Sequence, residues 1–268
     1  MPPKSYIKFA GALLLAAGPI VAVHAMAAAE PAAITVSADV AAAVAAPSRA
    51  PANVVRDKYR HPAETLSFFG VTGGQTVVEY MPAGGWYMEI LAPLAAKGGG
   101  QYYGAQPAAR RESAQAKLDA NKASFGNAKL VDLAEVPSAS ADTVLTFRNV
   151  HNMVMNDNGP AMFAEFFRIA KPGAVLGVVD HRLPETRDTA AEKSSGYLKV
   201  STVRKLAEDA GFVFEASSEV NANPTDSADW EKGVWTLPPT LSQKDVDQAK
   251  YLAVGESDRM TLRFRKPK

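Results

Sequence analysis

The stretch that most constrains this chain is Thr76-Val77-Val78-Glu79-Tyr80-Met81-Pro82-Ala83-Gly84-Gly85-Trp86-Tyr87. A short apolar strand runs into an acid. A turn of small residues follows, and a helix is predicted from Gly85 to Ala96, kinked where Pro93 removes a backbone donor. Strand, tight turn and helix N-terminus, in that order, make a nucleotide-type pocket at the carboxyl edge of an open α/β sheet. Small residues let a ligand approach the backbone, and the free N–H groups of the first helical turn point at it.

The rest of the folded region repeats the strand–helix alternation. Strands are predicted at Gln101–Ala105, Ala128–Val131, Asp142–Phe147, Ala174–Val179, Phe212–Ala216 and Met260–Arg265. Helices are predicted at Ala63–Phe69, Pro107–Lys122, Pro160–Ala170 and Thr202–Ala210, the last capped by Ser201 and closed by Gly211. Phe163, Phe166 and Phe167 recur at helical spacing and read as core. Two polar clusters stand at strand ends: Arg148-Asn149-Val150-His151-Asn152 and Asp180-His181-Arg182. Polar groups packed at the end of a central strand are costly unless paired or used. His151 is able to act as a base near neutral pH, and Arg148 is able to hold a carboxylate. No pair among His61, His151 and His181 has a recognised ligand spacing, so no metal is expected.

The residues resemble the class I S-adenosylmethionine-dependent methyltransferases, and most of all exported predicted methyltransferases of undefined substrate. That family places an acid, then glycines at alternate positions, in its first strand-to-helix loop. Here Glu79 matches the acid, Met81 and Ala83 stand at the first two glycine positions, and Gly85 matches the third. Asp132, the Val136-Pro137 pair before Asp142, and the Lys171-Pro172-Gly173 turn also fit the family's spacing. The resemblance spans about Ala63 to Lys266. It implies a Rossmann-like, mostly parallel seven-stranded sheet with helices on both faces and the last strand antiparallel.

It also implies S-adenosylmethionine as cofactor, contacted by Glu79, Ala83, Gly85, Gln106 and Asp132. Gln106 occupies the place of the family's ribose-binding acid, and Asp132 that of its adenine-binding acid. The acceptor side is then drawn from Arg148, His151, Asp180, His181 and Tyr197. A helix over the pocket would turn Arg60 and His61 toward the ligand. The implied reaction is methyl transfer to a small-molecule acceptor. Two alternatives stand beside it: a non-catalytic binding module on the same fold, and a hydrolase-like activity at the histidine clusters, which lacks a G-x-S-x-G nucleophile motif.

The N-terminus points to export. Lys4 and Lys8 precede an apolar run from Phe9 to Val23, and small residues around Ala25, Ala27 and Ala29 suit cleavage. Residues 1–29 read as a signal peptide, and residues 30–53, rich in Ala, Val, Pro and Ser, as a tether. The folded domain is expected over 54–268, with an insertion at about 221–259 carrying Trp230 and Trp235 and read as a flap. A periplasmic protein with no membrane span after signal cleavage is expected. The net charge of +1 gives no electrostatic footprint for nucleic acid. The absence of cysteine excludes disulfides, thiolate nucleophiles and Cys-based zinc sites.

Overall fold

Val77 and Val78 show how the sheet is built. Successive strand residues point to opposite faces. Val77 is buried in one apolar layer, with Leu66, Phe69, Ile90 and Leu91, and Val78 in another, with Phe163, Phe166 and Ile169. Both faces are therefore covered by helices, as parallel sheets require.

The computed structural model describes residue 1 and residues 34–268. Apart from Met1, the expected leader lies outside the described residues. The helices are α1 (Ala38–Val44), α2 (Pro51–Val54), α3 (Asp57–Arg60), α4 (Pro62–Phe68), α5 (Met88–Gly98), α6 (Glu112–Ala120), α7 (Lys122–Phe125), α8 (Val150–Met155), α9 (Gly159–Ile169), α10 (Val200–Asp209) and α11 (Gln248–Val254). The strands are β1 (Thr76–Tyr80), β2 (Gln101–Ala105), β3 (Lys129–Val131), β4 (Ala141–Phe147), β5 (Ala170–His181), β6 (Val213–Ser218) and β7 (Arg259–Arg265). They form one seven-stranded sheet in the order β3-β2-β1-β4-β5-β7-β6. Only β7 runs antiparallel to its neighbours.

This order places the site. The chain leaves β1 toward β2 and β3, then crosses back so that β4 lies on the other side of β1. Open α/β sheets bind ligands at such a reversal, beyond the carboxyl ends of the strands. Tyr80 pairs with Thr146, so the loop after β1 and the residues after β4 emerge side by side. Because β7 is antiparallel, its first residue, Arg259, sits opposite His181, the last of β5, and joins the same edge.

The stretch read as a tether is docked from residue 38 onward. Val40 is fully buried against the α5 side of the sheet, and Asp39 pairs with Lys97 at 3.0 Å. Arg49 makes a two-point contact to Asp57 at 2.6 and 2.8 Å. Asn53 donates to Glu89 at 2.9 Å and accepts from the Trp86 indole at 3.0 Å. The alanine and proline content suggested a spacer, but the few larger side chains find distant partners that fix the segment. Among the described residues, no helix is long and apolar enough to cross a membrane.

Candidate active site

The loop after β1 adopts the conformation its glycine positions demand. Met81, Ala83 and Gly85 all have positive φ, at 55°, 51° and 75°. For an L-residue the left-handed region costs about 1–2 kcal/mol, so the chain holds two such strains to keep this turn. The alternating backbone delays the helix, and α5 starts at Met88, three residues later than predicted from sequence.

The loop borders a first cavity of about 230 Å³. Its walls include Glu79, Met81–Gly84, Trp86 and Tyr87 from the β1–α5 region, and Phe147 and Arg148 beyond β4. Tyr87 stacks on Phe147 at 3.6 Å between ring centres. Trp86 does not fill the space; Arg60 and Arg49 lie over its ring at 4.6 and 5.2 Å. Glu79 is buried and hydrogen-bonded by the Tyr102 hydroxyl at 2.6 Å, and burial pushes its carboxyl up to about 7.

A second cavity, of about 210 Å³, lies on the β5 side and shares Arg148 with the first. It is lined by His151, Asn152 and His181, and by Trp235, Pro238 and Ser257 of the inserted segment. Asp180, fully buried, organises it. Its oxygens accept the backbone N–H of Val150 at 2.6 Å and of His181 at 2.8 Å, and contact His151 Nδ1 at 2.8 Å. A carboxylate oxygen at Nδ1 makes that nitrogen the protonated one and leaves the Nε2 lone pair for the cavity. His181 Nδ1 meets the Ser257 hydroxyl at 2.5 Å. Burial, then His151 and nearby arginines, hold His181 well below its ordinary pKa, so it is neutral at pH 7.

A third groove, also of about 230 Å³, lies on the β2 side and shares Met81 with the first. Tyr80, Pro107, Arg110 and Asn149 line it. No one of these spaces reaches the ~300 Å³ at which pockets for drug-sized ligands begin. A cofactor-sized ligand must span two of them.

Five of the residues expected at the site have internal partners or lie outside the first cavity. Gln106 is fully buried and committed: its side-chain oxygen accepts from Ala83 N at 3.1 Å and its nitrogen donates to the Arg110 carbonyl at 3.1 Å. Ala83 therefore offers no free amide to a ligand. Asp132 caps a short turn with Glu135 and pairs with Arg111 at 3.0 Å, while Arg111 also donates to the Gln106 carbonyl. One arginine thus bridges the two positions read as cofactor contacts. Tyr197 lines neither cavity: its hydroxyl is bound to Asp226 at 2.9 and 3.1 Å, which with burial raises its pKa. Arg60 lines the first cavity but His61, at the α3–α4 junction, does not.

Sequence spacing also hid one grouping. His151, Asp180 and His181 offer ligand atoms within 4.8 Å of one another, the one such group among the described residues. Asp180 is already saturated by hydrogen bonds, and Arg148 in the adjoining wall opposes a further cation. The site residues missed from sequence are Arg56, Arg259, Glu256 and Ser257. Arg259 was within reach, since an antiparallel last strand must begin where β5 ends.

No family model matches the chain, and no curated protein sequence does. Among solved structures, an S-adenosylmethionine-dependent methyltransferase from Aquifex aeolicus is similar at 18% identity, covering 78% of this chain and 92% of that one with a TM-score of 0.55. This is the class I methyltransferase fold. The cyclase SpnF is similar at 15% identity, over 85% of this chain and 91% of its own, with a TM-score of 0.54. Phosphoethanolamine N-methyltransferase 2 of Haemonchus contortus, solved with S-adenosylmethionine, matches at 15% identity over 76% of this chain and 51% of its own, with a TM-score of 0.50. One fold therefore carries more than one named reaction, and the site has to argue the activity.

Proposed function

We propose that this protein transfers a methyl group from S-adenosylmethionine to a small acceptor. The observation that carries the reading is the loop after β1: three alternate residues held at positive φ, two of them without being glycine, beside a cavity at the sheet's switch point. A chain that keeps such a turn at the cost of strain is using its shape.

The cofactor spans the loop-side cavity and the β2-side groove, which meet at Met81. Carbonyls of the Met81–Gly85 turn and the Gly84 N–H, with Glu79 and Tyr87, would hold its methionine end, the N–H groups of Met81, Ala83 and Gly85 being bonded within the fold. Tyr80, Pro107, Arg110 and Asn149 would hold its adenosine end, in place of Gln106 and Asp132. Bound S-adenosylmethionine supplies an electrophilic methyl group. The chain's own part is to position the acceptor and take its proton. His151 Nε2 faces the second cavity with its lone pair free. Asp180 fixes the ring and stabilises the imidazolium formed when that nitrogen accepts the acceptor's proton. Neutral His181, held by Ser257, adds a polar wall without opposing that charge. Trp235 closes the cavity, its ring edge-on to His151 at 6.2 Å.

The test is titration of the mature protein with S-adenosylmethionine and S-adenosylhomocysteine by calorimetry and thermal shift. Ligand at 100 times its Kd adds about 2.7 kcal/mol, or roughly 5–10 °C at this size. No shift at millimolar ligand rejects the reading. A second reading, a binding module without catalysis, is favoured by the internal bonds of the Gln106 side chain to Ala83 and Arg110 and of Asp132 to Arg111, which use groups that would grip an adenosine. Binding without turnover would select it.

We also place the protein in the periplasm. The support is the basic, apolar and small-residue order of positions 4–29. Sequencing the N-terminus of the protein recovered from the periplasmic fraction tests it.

A further inference from the structure

The first cavity holds more positive charge than any cofactor contact explains. Arg56, Arg60, Arg148 and Arg259 all line it, brought from the α2–α3 link, from α3, from beyond β4 and from the start of β7. They share one ionised carboxylate. Glu256 lies 2.7 Å from Arg56, 3.3 Å from Arg60 and 3.1 Å from Arg259, and their charges keep its pKa low despite burial. Glu256 stands behind this wall; the one acid in the wall itself is Glu79, whose pKa burial pushes up to about 7. Among the described residues, Arg148 makes no side-chain hydrogen bond or ion pair. Arg60 Nη2 and Arg259 Nε are buried without a partner, in side chains 6% and 3% exposed.

Buried, unpaired guanidinium donors are costly, and three to four like charges around one carboxylate repel one another. Burial and this repulsion lower Arg60 and Arg148 to about 10. S-adenosylmethionine cannot supply the missing charge, since its sulfonium and ammonium outweigh its carboxylate. A monocarboxylate would leave positive charge uncompensated. A dianion with several acceptor oxygens matches both the charge and the open donors, and planar guanidinium forks suit phosphate oxygens.

We propose that this cavity binds a phosphate group, and that the methyl acceptor is a phosphomonoester whose phosphate sits among Arg60, Arg148 and Arg259. The nucleophile of that acceptor lies past Arg148, in the cavity that His151 lines. The inference deepens the methyl-transfer reading and rests on it for the word acceptor, but phosphate binding itself does not depend on it.

The probes are inorganic phosphate and glycerol phosphate, titrated by calorimetry and thermal shift against sodium chloride of equal ionic strength, with glycerol and succinate as comparisons. S-adenosylhomocysteine is titrated in parallel. Wild-type protein binds both phosphates with submillimolar Kd. Arg148→Gln weakens them at least tenfold, and its own melting temperature without ligand stays within a few degrees, because the Arg148 side chain holds nothing in place. Arg148→Lys recovers part of the affinity. Phosphate bound without S-adenosylhomocysteine supports the anion site and rejects methyl transfer. S-adenosylhomocysteine bound with no phosphate response beyond sodium chloride overturns the inference and leaves methyl transfer standing. Succinate binding more tightly than phosphate overturns the phosphate assignment, as does an unchanged phosphate affinity in Arg148→Gln.

Discussion

The side-chain oxygen of Gln106, at the end of β2, accepts the backbone N–H of Ala83 at 3.1 Å, tying the second βα turn to the first. Gln106 braces the loop from behind. Removing it takes away two hydrogen bonds to part-exposed backbone groups, a loss of about 1–3 kcal/mol for the pair. Gln106→Ala should lower the melting temperature by roughly 3–10 °C. An unchanged melting curve would show that the brace contributes nothing.

The loop's three left-handed residues make opposite predictions on substitution. Ala83 is exposed and strained at φ 51°, so Ala83→Gly relieves the strain while adding unfolded-state freedom. The net is a gain of about 0.5–1 kcal/mol. Gly85→Ala meets both a φ of 75° and a Cβ only 2.7 Å from Met88 Cε, and costs about 1–2 kcal/mol or more. Chemical denaturation of the pair measures both; the same sign for both would refute the loop conformation.

Met81 stands between the first cavity and the β2-side groove, and neither of the two is large enough alone for a cofactor. Met81→Gly should join them and tighten S-adenosylhomocysteine binding, measured by calorimetry, by several-fold. Weaker binding would mean that the methionine side chain is itself part of the contact.

Glu79 keeps its proton to about pH 7 in the fold, against 4.5 for an ordinary side chain. The folded state binds the proton more tightly than the unfolded chain does. The group's contribution is therefore most favourable below pH 4.5 and is lost as pH rises to about 7, on the order of 3 kcal/mol in all. Glu79→Gln keeps an acceptor for Tyr102 and has no charge to desolvate. It should melt above wild type at pH 8 and converge with it near pH 5. His181 acts the other way: its depressed pKa makes stability fall as pH drops below about 6.5. Parallel curves for Glu79→Gln and wild type across pH 5–8 would remove the assignment of a buried acid.

If His151 is the base, His151→Gln should lower kcat for S-adenosylhomocysteine release by about 10²–10⁴ and leave the acceptor KM near its wild-type value. A loss confined to KM would make His151 a binding group only.

Local pattern carried much of this structure. The strand, small-residue turn and helix around Glu79 were legible because each signal lies within a few residues, and the antiparallel β7 came with the family resemblance. What was not legible depends on distance. Gln106 is spoken for by Ala83, 23 residues away in sequence. Tyr197 is spoken for by Asp226, 29 residues away. Val40 and Arg49 sit in a composition that reads as spacer. Glu256 and Ser257 come from an insertion with no periodicity to place it. The start of α5 was missed because the left-handed turn persists to Gly85, a backbone state that Met81 and Ala83 do not announce.

Arg148 forms part of both the first and the second cavity. A single fixed cation in a shared partition puts the two chambers in electrical contact. Whatever neutralises it from one side changes the affinity of the other, and by linkage the influence runs equally in both directions. The two occupants are thus thermodynamically coupled with no moving part.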